Sequence, residues 1–143
     1  MNEFSKSAMI ALLPNSAEWC RIELPHLTLV YAGEIEGRPL SEYNYLAKEA
    51  ASLALGFRPF SLTVMEYAVF GDDDRVDVLK LRANPELLAM RNLVERWNHS
   101  EYDFNPHCTV GPTGSVRPPM PAHIYFNRIM VCWGNAKMTF NMS

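Results

Sequence analysis

The sequence has few cysteines, few histidines and no excess of positive charge. Its three cysteines, Cys20, Cys108 and Cys132, cannot all pair within the chain, and none stands in a Cys-x-x-Cys pattern. This argues against a disulfide framework and favours a reducing, cytoplasmic setting. The net charge of −3 argues against binding to long duplex nucleic acid, which usually requires a basic surface. No apolar run is long enough to span a membrane, and the N-terminal segment lacks the basic leader of a signal peptide.

The composition is that of a globular protein. Hydrophobic residues make up 48% and charged residues 20% of the 143 residues. A chain of this length builds one compact core, so residues 1–143 are expected to form a single domain. The short apolar run that ends at Pro14 is typical of a buried strand.

The apolar periodicity predicts two halves, each with strands and one helix. The first helix is predicted to begin at Ser41 as N-cap and to end at Gly56. The second begins after Asn84 as N-cap, with Pro85 at its first position. The predicted strands span 9–13, 27–32, 60–70, 76–81, 107–110, 123–133 and 137–142. The fold class is therefore α+β, with two outer helices packed on sheets that the histidine-containing strands line.

One pattern, Pro-His-x-Thr-aliphatic, occurs twice, as PHLTLV at 25–30 and as PHCTV at 106–110. Side chains alternate faces in a strand, so His26 and Thr28 share one face, as do His107 and Thr109. A single His-x-Thr is more often structural, because threonine favours strands. With five threonines in the chain, two such hits among four histidines arise by chance about once in 140 sequences. The repeat therefore favours a functional site.

Two histidines facing one cleft suit acid–base chemistry at phosphorus. A neutral imidazole takes a proton from the attacking oxygen, and a protonated imidazole gives one to the leaving oxygen. Threonine hydroxyls can donate hydrogen bonds to the nonbridging phosphate oxygens as charge develops. This chemistry requires no metal and no cofactor.

The two motifs and the order of elements around them resemble the 2H phosphoesterase superfamily, which includes the LigT-like RNA 2′,3′-cyclic phosphodiesterases. The resemblance covers most of the chain, from the first apolar strand to the FNPH lead-in of the second motif. It implies a bilobal, pseudo-two-fold fold whose two antiparallel-rich sheets line a central cleft. It also implies metal-independent catalysis, with His26 and His107 as the acid–base pair and Thr28 and Thr109 as phosphate-binding residues. After the second motif the chain continues as Val110-Gly111-Pro112, where many relatives have a longer aliphatic-basic strand.

Three aromatic residues, Tyr31, Phe104 and Trp133, are candidates for stacking on a nucleobase, although core positions are the default for such residues. Strict alternation places Tyr31 on the face opposite Thr28, unless a bulge or twist redirects it.

Other polar residues are expected to lie outside the site. The run Asp72 to Asp74 is typical of a solvated hairpin turn, since it lacks the spacing of a calcium loop. His99 and His123 have no threonine partner, and His99, which follows a helix end, is expected at the surface, with a role at the site as the lesser alternative. The sequence has no zinc-like spacing of histidine and cysteine. Six cations are expected at the surface, and one of them is a candidate to balance phosphate charge, although the sequence does not select which; they are Arg38, Arg58, Lys80, Arg82, Arg117 and Arg128.

Three functional hypotheses follow. The first is a metal-independent phosphodiesterase that hydrolyses a cyclic or internal phosphodiester of a nucleotide or an RNA end. The second, suggested by compact bacteriophage members of the superfamily, is an anti-defence enzyme that degrades cyclic oligonucleotide immune signals. The third is a binding module that sequesters a nucleotide without hydrolysing it, which the presence of both complete motifs disfavours.

Overall fold

The structure is a computed structural model, and it describes residues 6–114 and 116–143. In chain order its elements are β1 (Ser7–Pro14), β2 (Leu27–Glu34), α1 (Ser41–Gly56), β3 (Phe60–Phe70), β4 (Val76–Leu81), α2 (Pro85–Val94), β5 (His107–Pro112), β6 (His123–Trp133) and β7 (Ala136–Asn141). One 3₁₀ turn, Glu95–Trp97, follows α2. The predicted strands and helices are all present, with bounds that differ by at most two residues.

The described strands form one antiparallel sheet in the order β1-β2-β5-β4-β3-β6-β7, and β6 also pairs with β1. The predicted α+β class, with antiparallel strands and two helices, is confirmed. The two predicted sheets are halves of one hydrogen-bonded sheet. They join where β2 meets β5, and again along β6, whose first residues pair with β3 and whose later residues pair with β1.

Both helices pack on the same side of the sheet. The buried face of α1 includes Leu46, Ala50 and Leu53, and that of α2 includes Leu87 and Met90. These residues belong to one hydrophobic cluster with strand residues that include Leu27, Leu79 and Cys108. Burial of this apolar face stabilises the fold and leaves the alternate strand positions on the opposite face.

Of the two N-cap residues predicted from the sequence, one is confirmed and the other is wrong. The Asn84 side chain accepts a hydrogen bond from the Leu87 N–H at 2.8 Å, with Pro85 in the first turn, as predicted. Ser41 is not the N-cap of α1. The cap is Leu40, which makes no side-chain cap bond, and a turn at Pro39–Leu40 leads into the helix instead. No helix in the described part of the chain has the length and apolarity to cross a bilayer.

Candidate functional site

The two motif strands are neighbours in the sheet. β2 and β5 pair antiparallel with Leu27 opposite Cys108. Because the strands run antiparallel, the same register places Thr28 opposite His107 and His26 opposite Thr109. Leu27 and Cys108 are fully buried on the helix-covered face, so the four motif side chains share the other face. Side chains directly opposite in such a pair have Cβ atoms about 4.5–5.5 Å apart, and diagonal neighbours such as His26 and His107 are about 7–8 Å apart.

Both histidines are held by the same local hydrogen bond. His26 Nδ1 lies 2.8 Å from the Leu24 carbonyl oxygen, and His107 Nδ1 lies 2.8 Å from the Asn105 carbonyl oxygen. Each carbonyl belongs to the residue two positions before the histidine, with proline between them. A carbonyl only accepts, so Nδ1 carries the proton in both bonds. In the neutral rings Nε2 is then the basic nitrogen, as a proton-transferring imidazole requires.

The surroundings of the two rings differ. His26 is only 6% exposed, whereas His107 is half-buried and meets the Phe70 ring edge-on at a centroid distance of 4.7 Å. The Thr28 hydroxyl lies 3.8 Å from the Met9 sulfur. A thioether is a weak acceptor, so this hydroxyl can be redirected to a phosphate oxygen at little cost.

A β-bulge follows the threonine of each motif. In the β1–β2 register Ile10 faces Val30 and Ala11 faces Thr28, so Leu29 is the extra residue. In β4–β5 the corresponding shift between Thr109 and Gly111 makes Val110 the extra residue. The two halves therefore repeat the bulge as well as the motif. An extra residue reverses the alternation beyond it, which explains why Tyr31 lines the same cavity as Thr28.

A cavity of about 710 Å³ opens beside His107 and Thr28. This volume is within the range of small-molecule sites. Its aromatic walls are Tyr31, Phe70 and Phe104. The remaining lining residues come from the end of β3, from the β3–β4 turn, from α2 and from the loop before β5, and they are Val69, Gly71, Asp72, Arg91, Asn98, Ser100, Tyr102, Asp103 and Asn105.

The face of the sheet that carries the four motif side chains, here called the motif face, continues from β5 onto β4. Lys80 pairs with His107 in the β4–β5 register and therefore shares its face. The Lys80 side chain is 31% exposed, and its Nζ lies 3.8 Å from the Glu66 carboxylate. Of the cations considered from the sequence, Lys80 is therefore the one placed directly across from a motif histidine.

The cysteines beside the motif strands are poor nucleophiles. Burial raises the pKa of the Cys108 thiol, and burial likewise raises the pKa of Cys20, against a smaller opposing effect of the Ile22 backbone. Both thiols therefore stay protonated at neutral pH. Among the described residues, no group of three or more histidine, cysteine, aspartate or glutamate side chains is placed to hold a metal ion.

A family model described as the 2′-5′ RNA ligase superfamily matches residues 18–128. The chain belongs to this superfamily. The resemblance to 2H phosphoesterases predicted from the two motifs is thereby confirmed. None of the curated proteins compared with the chain matches it significantly in sequence.

Solved structures of the superfamily share the fold over nearly the whole chain. Usb1 of Kluyveromyces marxianus is 11% identical, with 99% of this chain and 100% of that chain covered and a TM-score of 0.66. TT0787 of Thermus thermophilus is 15% identical, with 96% and 95% covered and a TM-score of 0.60. LigT of E. coli is 19% identical, with 96% and 95% covered and a TM-score of 0.57. At these identities the likeness shows the fold alone.

Of the three aromatic residues proposed from the sequence to stack on a nucleobase, two line the cavity and one does not. Tyr31 and Phe104 line the cavity, but Trp133 does not. The Trp133 ring is buried, stacked on Tyr43 at 5.9 Å and covered by the Arg38 guanidinium at 5.2 Å. The structure therefore places Trp133 in the core and not in this cavity.

The structure also shows where the three aspartates of the β3–β4 turn and the two histidines outside the motifs lie. Asp72, Asp73 and Asp74 are exposed in the β3–β4 turn, and only Asp72 of the three lines the cavity. His123 is exposed beside a second cavity, of about 460 Å³, which Trp19 also lines. His99 is exposed, yet its backbone N–H donates to the Tyr31 carbonyl at 2.9 Å, and it thereby helps to fix the cavity wall.

Arg91 on α2 is a cavity residue that sequence reasoning missed. Its side chain is only 11% exposed, and its Nη1 donates to the carbonyl of the bulge residue Leu29 at 2.6 Å. Its Nε pairs with Glu95 at 2.7 Å, and its guanidinium lies 4.8 Å from the centre of the Phe104 ring. Arg91 therefore ties the first bulge to an aromatic wall. The sequence shows it only as one charged residue in an amphipathic helix.

Gly33 ends the first motif strand with φ of +88°, and a Cβ built there would lie 2.1 Å from His99 Nδ1. Gly33→Ala therefore combines a left-handed backbone with a steric clash. We expect a loss of about 2–3 kcal/mol in the free energy of unfolding, measured by chemical denaturation.

Gly37→Ala is the matched control, since Gly37 has φ of +75° and no atom of the described residues lies within 4 Å of the added Cβ. It carries only the backbone cost of about 1–2 kcal/mol. His99→Ala in the Gly33→Ala background should remove the difference between the two glycine variants. Equal destabilisation by both would show that His99 does not pack against Gly33.

Proposed function

We propose that the protein is a metal-independent phosphodiesterase that hydrolyses a cyclic or internal phosphodiester of a nucleotide or of an RNA end. The observation that carries this proposal is the β2–β5 register, with Leu27 opposite Cys108. It sets two His–Thr pairs diagonally on one face beside a cavity of nucleotide size.

The diagonal arrangement fits an in-line displacement at phosphorus. The attacking and leaving oxygens lie on opposite sides of the phosphorus, so the base and the acid must also approach from opposite sides. For a 2′,3′-cyclic phosphate, one neutral imidazole takes the proton of a water whose oxygen bonds to phosphorus. The other, protonated imidazole gives its proton to the ribose oxygen as the phosphorus–oxygen bond breaks. The product is a phosphate monoester with a free neighbouring hydroxyl.

Thr28 and Thr109 would donate hydrogen bonds to the nonbridging oxygens. Each stands opposite the histidine of the other motif, so the two donors flank the same phosphate that the imidazoles face. Donors fixed by strand pairing need no reorganisation as negative charge develops, which is where such hydrogen bonds contribute most.

The nucleoside would occupy the cavity next to His107. Tyr31 and Phe104 offer faces on which a base can stack, and the Asn98 and Asn105 side chains offer polar partners. LigT of E. coli has been solved in complex with 3′-AMP, which supports a nucleotide ligand for this fold. The absence of a basic excess agrees with a small substrate.

The proposal is tested by incubating the purified protein in EDTA with a substrate panel. The panel contains nucleoside 2′,3′-cyclic phosphates, 2′-5′-linked dinucleotides, and 3′-5′ cyclic di- and trinucleotides. We expect turnover of the 2′,3′-cyclic phosphates. Turnover confined to the cyclic di- and trinucleotides would indicate the anti-defence activity instead, and stoichiometric binding with the ligand recovered unchanged would indicate sequestration.

Lys80 is expected to balance the charge of the bound phosphate. Lys80→Met should weaken inhibition by inorganic phosphate about 10-fold, because a half-buried ammonium beside His107 attracts the anion. Glu66→Gln removes the carboxylate that competes for Lys80, and it should leave phosphate binding unchanged or tighter. The measurement is the inhibition constant of inorganic phosphate in each variant.

Lys48→Met is the matched control, since Lys48 is an exposed lysine on α1, next to the Tyr45 ring. If Lys80 serves only as the ion-pair partner of Glu66, the Lys80→Met and Glu66→Gln variants should change phosphate inhibition in the same direction. That result would remove Lys80 from the phosphate site.

A further inference from the structure

We propose that the cavity beside His107 selects a nucleoside whose only phosphate is the one that reacts, and that it discriminates against a second phosphate on the same nucleoside. This inference rests on the proposed function, because it takes the motif face as the site of the reacting phosphate. It names the substrate class as mononucleoside cyclic phosphates rather than cyclic oligonucleotides or 5′-phosphorylated ends.

The first argument is the charge of the cavity wall. Two carboxylates, Asp72 from the β3–β4 turn and Asp103 from the loop before β5, line the cavity from different segments of the chain. Among the described lining residues Arg91 is the one lysine or arginine. An anion deeper in this cavity therefore meets two negative charges.

The second argument is that groups of the protein itself already engage the Arg91 guanidinium. Its Nε pairs with Glu95 at 2.7 Å, its Nη1 donates to the Leu29 carbonyl at 2.6 Å, and its guanidinium lies on the Phe104 ring. Reaching a second phosphate would break contacts that hold the bulge and the aromatic wall. Arg91 therefore offsets Glu95, and no ion pair between described residues involves Asp72 or Asp103.

The third argument is the contrast with the motif face. Around the reacting phosphate lie two imidazoles, two hydroxyls and, across from His107, the Lys80 ammonium. Beyond His107 the wall changes to the aromatic rings of Tyr31, Phe70 and Phe104, with the two carboxylates among its polar residues. Such a wall accepts an uncharged base and ribose, whose hydroxyl and amino groups can donate to carboxylates.

The consequence separates two of the candidate substrates. In a cyclic oligonucleotide each nucleoside carries a phosphate on both its 5′ and its 3′ side, and so does the last nucleoside of a longer RNA that ends in a 2′,3′-cyclic phosphate. A nucleoside 2′,3′-cyclic phosphate with a free 5′-hydroxyl carries one phosphate only. Because Asp72 and Asp103 are exposed, solvent screens them, and the expected discrimination is about 3- to 10-fold at low salt.

The test is an equilibrium binding measurement, which does not depend on turnover. The dissociation constants of adenosine 3′-phosphate and adenosine 3′,5′-bisphosphate are measured by calorimetry at low and high salt. The wild-type protein should bind the monophosphate about 3- to 10-fold more tightly, and added salt should reduce the ratio. In Asp72→Asn/Asp103→Asn the ratio should fall to about one or below.

Asp73→Asn/Asp74→Asn is the matched control. It makes the same change in net charge at two exposed residues that follow Asp72 in the β3–β4 turn and do not line the cavity. The control should keep most of the wild-type ratio. Equal affinity of the wild type for the two ligands, preference for the bisphosphate, or loss of the ratio in the control variant would each overturn the proposal.

The same ligands distinguish this failure from failure of the proposed function. Selective binding of the monophosphate without hydrolysis of its 2′,3′-cyclic precursor would disprove the enzymatic function and support the selectivity. Hydrolysis with equal binding of both ligands would support the enzymatic function and disprove the selectivity. Binding of neither ligand would remove the cavity as a nucleoside site.

Discussion

His26→Asn and His107→Asn are each expected to lower kcat on a 2′,3′-cyclic substrate by about 10²–10⁴-fold, because each removes the general acid or the general base. Asparagine places its amide nitrogen near the position of Nδ1. It can therefore keep the hydrogen bond to the Leu24 or Asn105 carbonyl, while Nε2 is lost. The measurement is steady-state kinetics together with a thermal unfolding midpoint, so that loss of function is separated from loss of fold.

The two losses should not add. Once one imidazole is gone the paired mechanism no longer operates, so the double variant should fall little further than the worse single variant. The wild-type rate should depend on pH with a bell shape, and each single variant should lose one limb of the bell. His123→Ala, at an exposed position beside a different cavity, is the control and should keep full activity. Full activity in the double variant would disprove the two-histidine mechanism.

Thr28→Val and Thr109→Val are expected to give the second largest effect, a fall in kcat of about 10- to 10³-fold each. Valine keeps the shape and strand preference of threonine and removes only the hydroxyl donor. The loss should appear in kcat more than in KM, since the hydrogen bonds strengthen as charge develops on phosphate. Thr28→Ser and Thr109→Ser should restore most of the activity.

Thr63→Val is the control for this series, because Thr63 is an exposed threonine in β3 that lines neither described cavity. It should leave kcat unchanged. If the two motif threonines serve only to stabilise their strands, the valine variants should behave like Thr63→Val, and the hydroxyls would then have no part in the chemistry.

The repeated bulge gives the two halves a likeness beyond the four motif residues. Leu29 and Val110, each directly after its threonine, are the extra residues, and both are buried. The first bulge brings Tyr31 to the cavity and presents the Leu29 carbonyl to Arg91. In the second half, Pro112 occupies the position that corresponds to Tyr31, three residues after the motif threonine. Pro112 does not line the cavity. The halves therefore share the motif and the bulge, while an aromatic residue at this position after the bulge is present in only one of them.

The sequence by itself determined the elements and the motif pairs. Strand alternation placed His26 with Thr28 and His107 with Thr109. The Asn84–Pro85 start of α2 was equally readable. These features depend on backbone periodicity and on hydrogen bonds between residues close in sequence, which short stretches of sequence specify directly.

Only the tertiary structure decided how the two motifs meet. The histidines are 107 − 26 = 81 residues apart, and their relative placement depends on the one-residue register of β2 against β5. Register between distant strands is set by how the whole apolar face fits against both helices, and a slip of one residue would reverse every side chain. The same packing set the bulge that redirects Tyr31, placed Trp133 in the core, and brought Arg91 and Asp103 to the cavity. No local pattern records such contacts, because each joins segments that are distant in sequence and meet only when the core closes.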